Sequence, residues 1–243
     1  MIRTILIVLY MSLVSFLPGC NGDGNGAEVK TAAKARVVNE KQPTASAGTL
    51  FAKEIARQPC DLLTPNAVAT VAGVDPSALE QSAMASMCLY SWEGGQAHLG
   101  NLRTSKNIEF ARERFENSYR NQTGQEVVQS MAKIDAELEK QQDEGKTDVD
   151  PQQAKVITGA LSGMLSGGLQ YEDIPGLGDI ARFEITRTES QFGGKTFVSY
   201  ANALNVLTGN LKFTVSFSHD GEPKLYRDES IALAEAVLEK LQD

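Results

Sequence analysis

The chain has 243 residues, 42% of them hydrophobic, with a formal net charge of −8 and an isoelectric point near 5.0. This composition is enough for a folded core, and the length suits one domain or one domain with an insertion. A net negative surface repels phosphate backbones, so the composition argues against a nucleic-acid partner.

The first twenty residues have the layout of a secretory signal that ends at a cysteine. Arg3 supplies an early positive charge, residues 5–17 are uncharged and mainly apolar, and Gly19-Cys20 closes the segment. This arrangement resembles a bacterial lipoprotein signal. The resemblance implies removal of residues 1–19 as a signal peptide and attachment of a lipid that includes palmitate to the sulfur of Cys20.

The signal has two alternatives, an ordinary cleaved signal peptide and a retained membrane anchor. The apolar run is shorter than the roughly 20 residues that a spanning helix needs, which disfavours the anchor. Asn21 follows Cys20 where the resemblance would place an aspartate that retains lipoproteins in the inner membrane. We therefore expect a lipid-anchored protein of the cell envelope, on the periplasmic face of the outer membrane.

Three cysteines are present, so Cys60 and Cys88 remain as a pair if Cys20 is lipidated. Paired cysteines tend to oxidise outside the cytoplasm, and we expect a structural disulfide between them. The alternatives are two buried free thiols and a redox-active pair.

Residues 20–48 predict a flexible tether, because they contain glycine, alanine, lysine and serine but few large apolar side chains. As a coil, such a segment separates its ends by about 30 Å. Residues 49–243 then form a single α+β domain that begins with a short helix near residues 50–57.

Local signals mark a helix and a hairpin in the first part of the domain. Thr64-Pro65 predicts a helix start and Gly73 its left-handed end. Residues 88–103 predict a β-hairpin with Gly94-Gly95 as its two-residue turn, because apolar and polar side chains alternate on either side.

The central part of the chain predicts helices. Ile108, Ala111, Phe115 and Tyr119 have helical spacing, and Val127, Met131, Ile134 and Leu138 form a second stripe. Asp150 predicts the cap of a third helix that starts at Pro151. The helices around residues 125–169 are expected to be an insertion in the α+β domain.

The last part of the chain predicts strands and a closing helix. Residues 181–186 alternate, residues 197–207 predict one long strand covered on both faces, and Thr208-Gly209-Asn210 connects it to residues 211–218. Ile231, Ala234, Leu238 and Leu241 share one helix face. Hairpins dominate, so we expect an α+β fold with a largely antiparallel sheet covered by helices.

Several short motifs also resemble a group of bacterial lipoproteins of unknown function that is common in actinobacteria. The motifs are Cys60-Asp61-Leu62-Leu63-Thr64-Pro65, Gly73, Cys88-Leu89-Tyr90-Ser91-Trp92 and Pro175-Gly176-Leu177-Gly178-Asp179-Ile180-Ala181. The resemblance covers residues 60–241 and implies a sandwich similar to the PsbP-like fold. It implies no activity and no catalytic residues.

No arrangement of residues predicts an enzyme, a metal site or a cofactor. The two histidines, His98 and His219, lie in different hairpins and are expected to be a strand residue and a turn residue. Asp179 is expected to bond backbone amides in a turn, with cation binding as the alternative. The acidic residues Asp143, Glu144, Asp148 and Asp150 are expected to be a solvated linker, with calcium binding as the alternative.

Gly159, Gly163 and Gly167 recur every four residues and would share one face of the third helix. Glycine destabilises a helix by about 1 kcal/mol relative to alanine, so three on one face suggest close approach by a neighbour. We expect tight packing within the domain; contact with a partner protein or the membrane is the alternative.

Two functions follow from these patterns. The leading hypothesis is a non-enzymatic binding or assembly module, which the lipid anchors in the envelope next to an envelope protein partner. The second is a periplasmic lipoprotein that binds a small ligand or lipid in a cavity between the sheet and the central helices.

Overall fold

A seven-stranded antiparallel sheet forms the centre of the computed structural model of this chain, which confirms the expected α+β class. The structure describes residues 48–84, 86–144, 150–165, 167–192, 195–220 and 224–242. The signal, Cys20 and the tether up to residue 47 lie outside the described residues. The strands are β1 (Glu80–Met84), β2 (Met87–Trp92), β3 (Gly95–Thr104), β4 (Tyr171–Asp173), β5 (Ile180–Glu184), β6 (Arg187–Phe192), β7 (Lys195–Tyr200), β8 (Ala203–Thr208) and β9 (Leu211–His219).

The large sheet has the order β1-β2-β3-β9-β8-β5-β4, and β6 and β7 form a separate two-stranded sheet. Short 3-10 helices cover Lys53–Arg57 and Pro76–Ala78. The α-helices are α1 (Pro59–Leu62), α2 (Pro65–Ala72), α3 (Ile108–Ser118), α4 (Gly124–Asp143), α5 (Pro151–Met164) and α6 (Arg227–Lys240).

The two faces of the sheet carry different layers. On the first face, strand side chains such as Leu99, Phe213 and Val215 are fully buried together with Val68 of α2 and Leu233 of α6. On the second face, α3 packs Ala111 and Phe115 over Leu207. Burial of large apolar side chains on the first face supplies most of the free energy that holds the sheet and these helices together.

A disulfide joins Cys60 and Cys88, as the cysteine count predicts, with the Cα atoms 5.0 Å apart. It connects α1 to the buried face of β2, and the two residues are 28 positions apart in the chain. In the chain-entropy model, closing a loop of this length stabilises the fold by about 3–4 kcal/mol.

Several helix boundaries follow from the local signals in the sequence. The Thr64 side chain accepts a hydrogen bond from the Ala67 amide, and Gly73 ends α2 with a left-handed backbone at φ 70°. Asp150 caps α5 by accepting from the Gln152 amide at 2.9 Å. These polar groups satisfy amides that a helix start leaves without partners, which is why the sequence marks them.

The turn between β2 and β3 differs by one residue from the prediction of Gly94-Gly95. Trp92 pairs with Gly95, so the turn consists of Glu93 and Gly94, whose φ is 81°. Gly95 is required for another reason, because a Cβ atom there would lie 2.5 Å from the indole ring of Trp92.

The single long strand predicted for residues 197–207 is wrong. The chain divides it into β7 and β8, which belong to different sheets. Asn202 stands at the break with φ 46° and uses its side chain to bind the backbone of Lys224 and Tyr226. A change of backbone direction at one asparagine is invisible to a periodicity analysis, since the apolar residues continue on both sides.

Candidate functional site

The helices α4 and α5 form an antiparallel pair that we call the α4–α5 hairpin. A reciprocal capping box opens α4: the Glu126 amide donates to Thr123 Oγ1 at 3.3 Å, and the Thr123 amide donates to Glu126 Oε2 at 2.8 Å. These hydrogen bonds hold the pKa of Glu126 below its ordinary value. The Thr-x-x-Glu pattern therefore fixes where the hairpin begins.

Polar contacts join the two helices of the hairpin. Thr158 Oγ1 donates to the carboxylate of Asp135 at 2.8 Å, and Lys155 Nζ lies 2.6 Å from Glu139 Oε1. The ion pair is exposed and contributes little, but the Thr158 hydroxyl is buried and its bond to a charged acceptor is stronger. The helices are thus fixed to one another by their own side chains.

The α4–α5 hairpin stands apart from the cores of the sheet. Neither core cluster among the described residues contains a side chain of α4 or α5. Val127, Leu138 and Ala154 are nevertheless buried, and α5 also contacts β6. The hairpin is therefore a small layer with its own buried side chains.

The glycine stripe makes no close contact with the described residues. A Cβ atom at Gly159, Gly163 or Gly167 would meet no described atom within 4 Å, and all three residues are exposed. Among the described residues, no neighbour packs tightly against the three glycines, in contrast to the expected packing within the domain. Gly159 and Gly163 face outward because α5 turns a different side, including Ala154 and Thr158, toward α4. The expectation that Gly167 shares this helix face is wrong, because α5 ends at Met164.

Large apolar side chains are exposed on the same hairpin. Val156 has 73% of its surface exposed, and Val128 and Ile134 of α4 are also exposed. Ile134 belongs to the stripe that the sequence assigns to the buried side of α4, yet only Val127 and Leu138 of that stripe are buried. Exposed apolar side chains and exposed glycines thus occur on the same pair of helices.

A groove lies where β9 ends, at the end of the β8–β9 hairpin opposite its turn. It has a volume of about 340 Å³. Its lining residues come from α2, the end of β9, the segment before α6 and the first turn of α6, and are Val71, Ala72, Phe217, His219, Asp220, Lys224, Tyr226 and Glu229. This is not the position between the sheet and the central helices where the sequence places a ligand cavity.

The aromatic rings of Phe217 and Tyr226 line the groove. The ring of Phe217 lies 5.5 Å from Trp92 and 5.4 Å from Tyr226, measured between centroids. Tyr226 donates its hydroxyl to the carbonyl of His219 at 2.8 Å and its amide to Asn202 Oδ1 at 3.1 Å. The Tyr226 ring is therefore fixed by hydrogen bonds from its hydroxyl and its backbone amide.

The ammonium group of Lys224 covers the Tyr226 ring. Its Nζ atom lies 4.5 Å from the ring centroid and 3.8 Å from Glu229 Oε1. Tyr226 is only 6% exposed, whereas the Lys224 side chain is 59% exposed. A cation thus rests between an aromatic face and a carboxylate at the groove.

The other residues singled out in the sequence lie outside the groove, except His219. His98 is in β3 and bonds Ser216 through Nδ1 at 2.7 Å, while His219 ends β9 and lines the groove. Asp179 accepts from the Gly209 amide at 2.6 Å and so bonds a neighbouring hairpin instead of its own turn. Of the four acidic residues for which calcium binding is the alternative, Asp148 lies outside the described residues.

In the described part of the chain, no group of three or more His, Cys, Asp or Glu side chains could hold a metal ion. None of the helices described is both long and apolar enough to cross a bilayer. Comparison of the chain with family models, curated proteins and solved structures found no match.

Sequence patterns do not mark the groove. Phe217 and Tyr226 have the spacing of core residues, and Lys224 and Glu229 resemble ordinary surface charges. Only the fold brings β9, α2 and α6 together at this point. The lysine two positions before a tyrosine in Lys224-Leu225-Tyr226 is the one local signal, and it is too common to predict a site.

Proposed function

We propose that this protein is a non-enzymatic assembly module, anchored in the cell envelope by a lipid on Cys20, that contacts an envelope protein through the α4–α5 hairpin. The observation that carries the proposal is the combination of exposed apolar side chains and outward-facing glycines on this hairpin. A partner helix can approach closely where glycine leaves the backbone uncovered, and exposed valine and isoleucine supply apolar area.

The location rests on two sequence features and one structural feature. The signal ends at Cys20, and residues 20–48 have the composition of a tether. The Cys60–Cys88 disulfide supports export, since disulfides persist outside the reducing cytoplasm. A tether of this composition lets the domain reach a partner at some distance from the lipid.

Lipid attachment is tested with Cys20→Ala. We expect the variant to lose metabolic labelling by fatty acids and to accumulate as an uncleaved or soluble precursor. Labelling equal to that of the unchanged protein would contradict the anchor. Cys60→Ala is the matched control, because it removes a cysteine and should keep the label.

Contact through the hairpin is tested with Gly163→Leu. No described atom lies near the position of the added side chain, so the melting temperature should stay equal or rise slightly, since leucine forms helix better by about 0.8 kcal/mol. Recovery of cross-linked envelope proteins should fall if the stripe touches a partner. A lower melting temperature would instead show packing within the chain, and unchanged recovery would reject the hairpin as the contact surface.

Leu225→Glu is the matched surface control. Leu225 is exposed like the hairpin residues but lies before α6, away from the α4–α5 hairpin in the chain. The proposal requires that this charge leaves partner recovery unchanged while Val156→Glu reduces it. Membrane association should persist in both variants, because the lipid supplies it; its loss in Val156→Glu alone would point to bilayer contact instead.

A further inference from the structure

We propose that the groove between α2, β9 and α6 binds a small organic cation, an amine or quaternary ammonium compound with an apolar body, in the place that the Lys224 ammonium now occupies. This ligand site is separate from the α4–α5 hairpin and does not depend on its proposed role. The chain itself supplies a stand-in for the ligand, which is the observation that carries the inference.

The position of the Lys224 ammonium shows what the groove holds. The group lies 4.5 Å above the Tyr226 ring and 3.8 Å from the Glu229 carboxylate. An aromatic face attracts a cation through its quadrupole, and a carboxylate beside it adds charge attraction; aromatic sites for ammonium ligands combine both. An anionic ligand would meet Asp220 and Glu229 at the same groove and is disfavoured.

Lys224 can leave this position at small cost. Its side chain is 59% exposed, so its ammonium remains hydrated when it moves into solvent. By contrast, Asn202 fixes the backbone of residues 224 and 226, and the Tyr226 hydroxyl is bonded to His219. Only the lysine side chain must rearrange, while the aromatic face and Glu229 stay in place.

The lining of the groove sets the size and polarity of the ligand. A volume of about 340 Å³ is at the lower end of the range for small-molecule sites. Val71, Ala72 and Phe217 offer apolar contact for the body of the ligand, the Glu229 carboxylate lies beside the cationic end, and Asp220 adds a second acidic residue to the lining. An aryl-alkyl or short alkyl ammonium ion matches this arrangement.

The test titrates the full chain in detergent micelles with phenethylammonium, followed by ligand-observed NMR against empty micelles. Phenylacetate, which has the same ring and the opposite charge, is titrated in parallel. We expect saturable binding of phenethylammonium only. Lys224→Ala removes the competing ammonium and should tighten binding about two- to fivefold, the factor expected for an exposed cation–π contact.

Two further variants separate the site from a general effect of charge. Glu229→Gln should weaken binding about two- to fivefold at low salt, because one attractive carboxylate is lost. Lys212→Ala is the matched control: Lys212 also lies over a tyrosine ring, 5.1 Å from the centroid of Tyr119, but on β9 outside the groove lining. The Lys212→Ala variant should bind phenethylammonium as tightly as the unchanged protein does.

The proposal is overturned by any of three results. Phenethylammonium could fail to saturate both the unchanged protein and Lys224→Ala, or phenylacetate could bind as tightly as phenethylammonium. Equal tightening by Lys224→Ala and Lys212→Ala would show attraction by net charge instead of a built site.

Discussion

Two regions of the molecule are held together in different ways. One is the large sheet with α2 and α6, and the other is the α4–α5 hairpin. The sheet buries large side chains such as Phe183, Phe213 and Leu233 completely, and a disulfide secures one side of it. The hairpin has a few buried residues and relies on a capping box, one buried hydroxyl and an exposed ion pair. The first region is held by a large apolar core, whereas the second has few buried side chains and carries Val156, the most exposed of the large apolar residues described.

The difference explains where a contact surface can arise in this fold. A helix pair can change its outer residues without disturbing a core to which it contributes no side chain among the described residues. Its local stability is expected to be lower than that of the sheet, because fewer buried contacts must be broken to open it. Three experiments test this contrast in order of decreasing effect.

The largest effect is expected from truncation in the sheet core. Phe213→Ala should lower the free energy of unfolding by about 3–5 kcal/mol, since it removes a fully buried ring and leaves a cavity. Ile134→Ala on α4 should change it by less than about 0.5 kcal/mol, since that side chain is exposed. Chemical denaturation of both variants measures the two changes in the free energy of unfolding. Equal losses would mean that the hairpin is part of the main core.

An intermediate and local effect is expected from Thr158→Val. The variant keeps the side-chain volume but leaves the Asp135 carboxylate without its buried donor, a change worth about 1.5–3 kcal/mol for a charged acceptor. Hydrogen exchange should accelerate in α4 and α5 while the amides of β3 and β9 keep their protection. Faster exchange in the strands would contradict the separation of the two regions.

The smallest effect is a dependence on pH that belongs to the sheet. Burial lowers the pKa of His98 below its ordinary value of 6.5, so the unfolded chain binds a proton first as the pH falls. The contribution of His98 to stability is therefore complete above pH 6.5 and decreases as the pH falls toward the lowered folded pKa. Chemical denaturation at pH 7 and at pH 5 measures this loss of stability.

His98→Gln is the comparison for that measurement. It should flatten the loss between pH 7 and pH 5, since glutamine does not titrate. Glu184, whose burial raises its pKa, is present in both proteins and cancels in the difference. An identical pH profile for both would show that His98 carries none of the dependence.

The sequence predicts much of the sheet because its signals are local. Alternation placed Ala181 and Phe183 on one face, and the caps at Thr64 and Asp150 are formed by neighbouring residues. The break at Asn202 and the short strands β1 and β4 have no comparable signal, because they depend on side chains and strands distant in the chain.

The candidate sites were less predictable for a related reason. The glycine spacing predicts one face of a helix, but α5 ends at Met164 before Gly167, and spacing alone does not tell whether a neighbour covers Gly159 and Gly163. The groove unites residues separated by more than 150 positions, from Val71 to Glu229. Each of its residues is ordinary by itself, and only the packing of α2 and α6 on the sheet makes them a site.

Photocross-linking in the intact cell envelope tests the central claim most directly. A photoreactive residue replaces either Val156 on α5 or Leu225 before α6, both exposed positions. If the α4–α5 hairpin is the contact surface, the Val156 position forms a discrete adduct with another envelope protein, and adding Gly163→Leu abolishes that adduct. The Leu225 position gives none. Adducts from Leu225 alone, or none from Val156, would contradict the account.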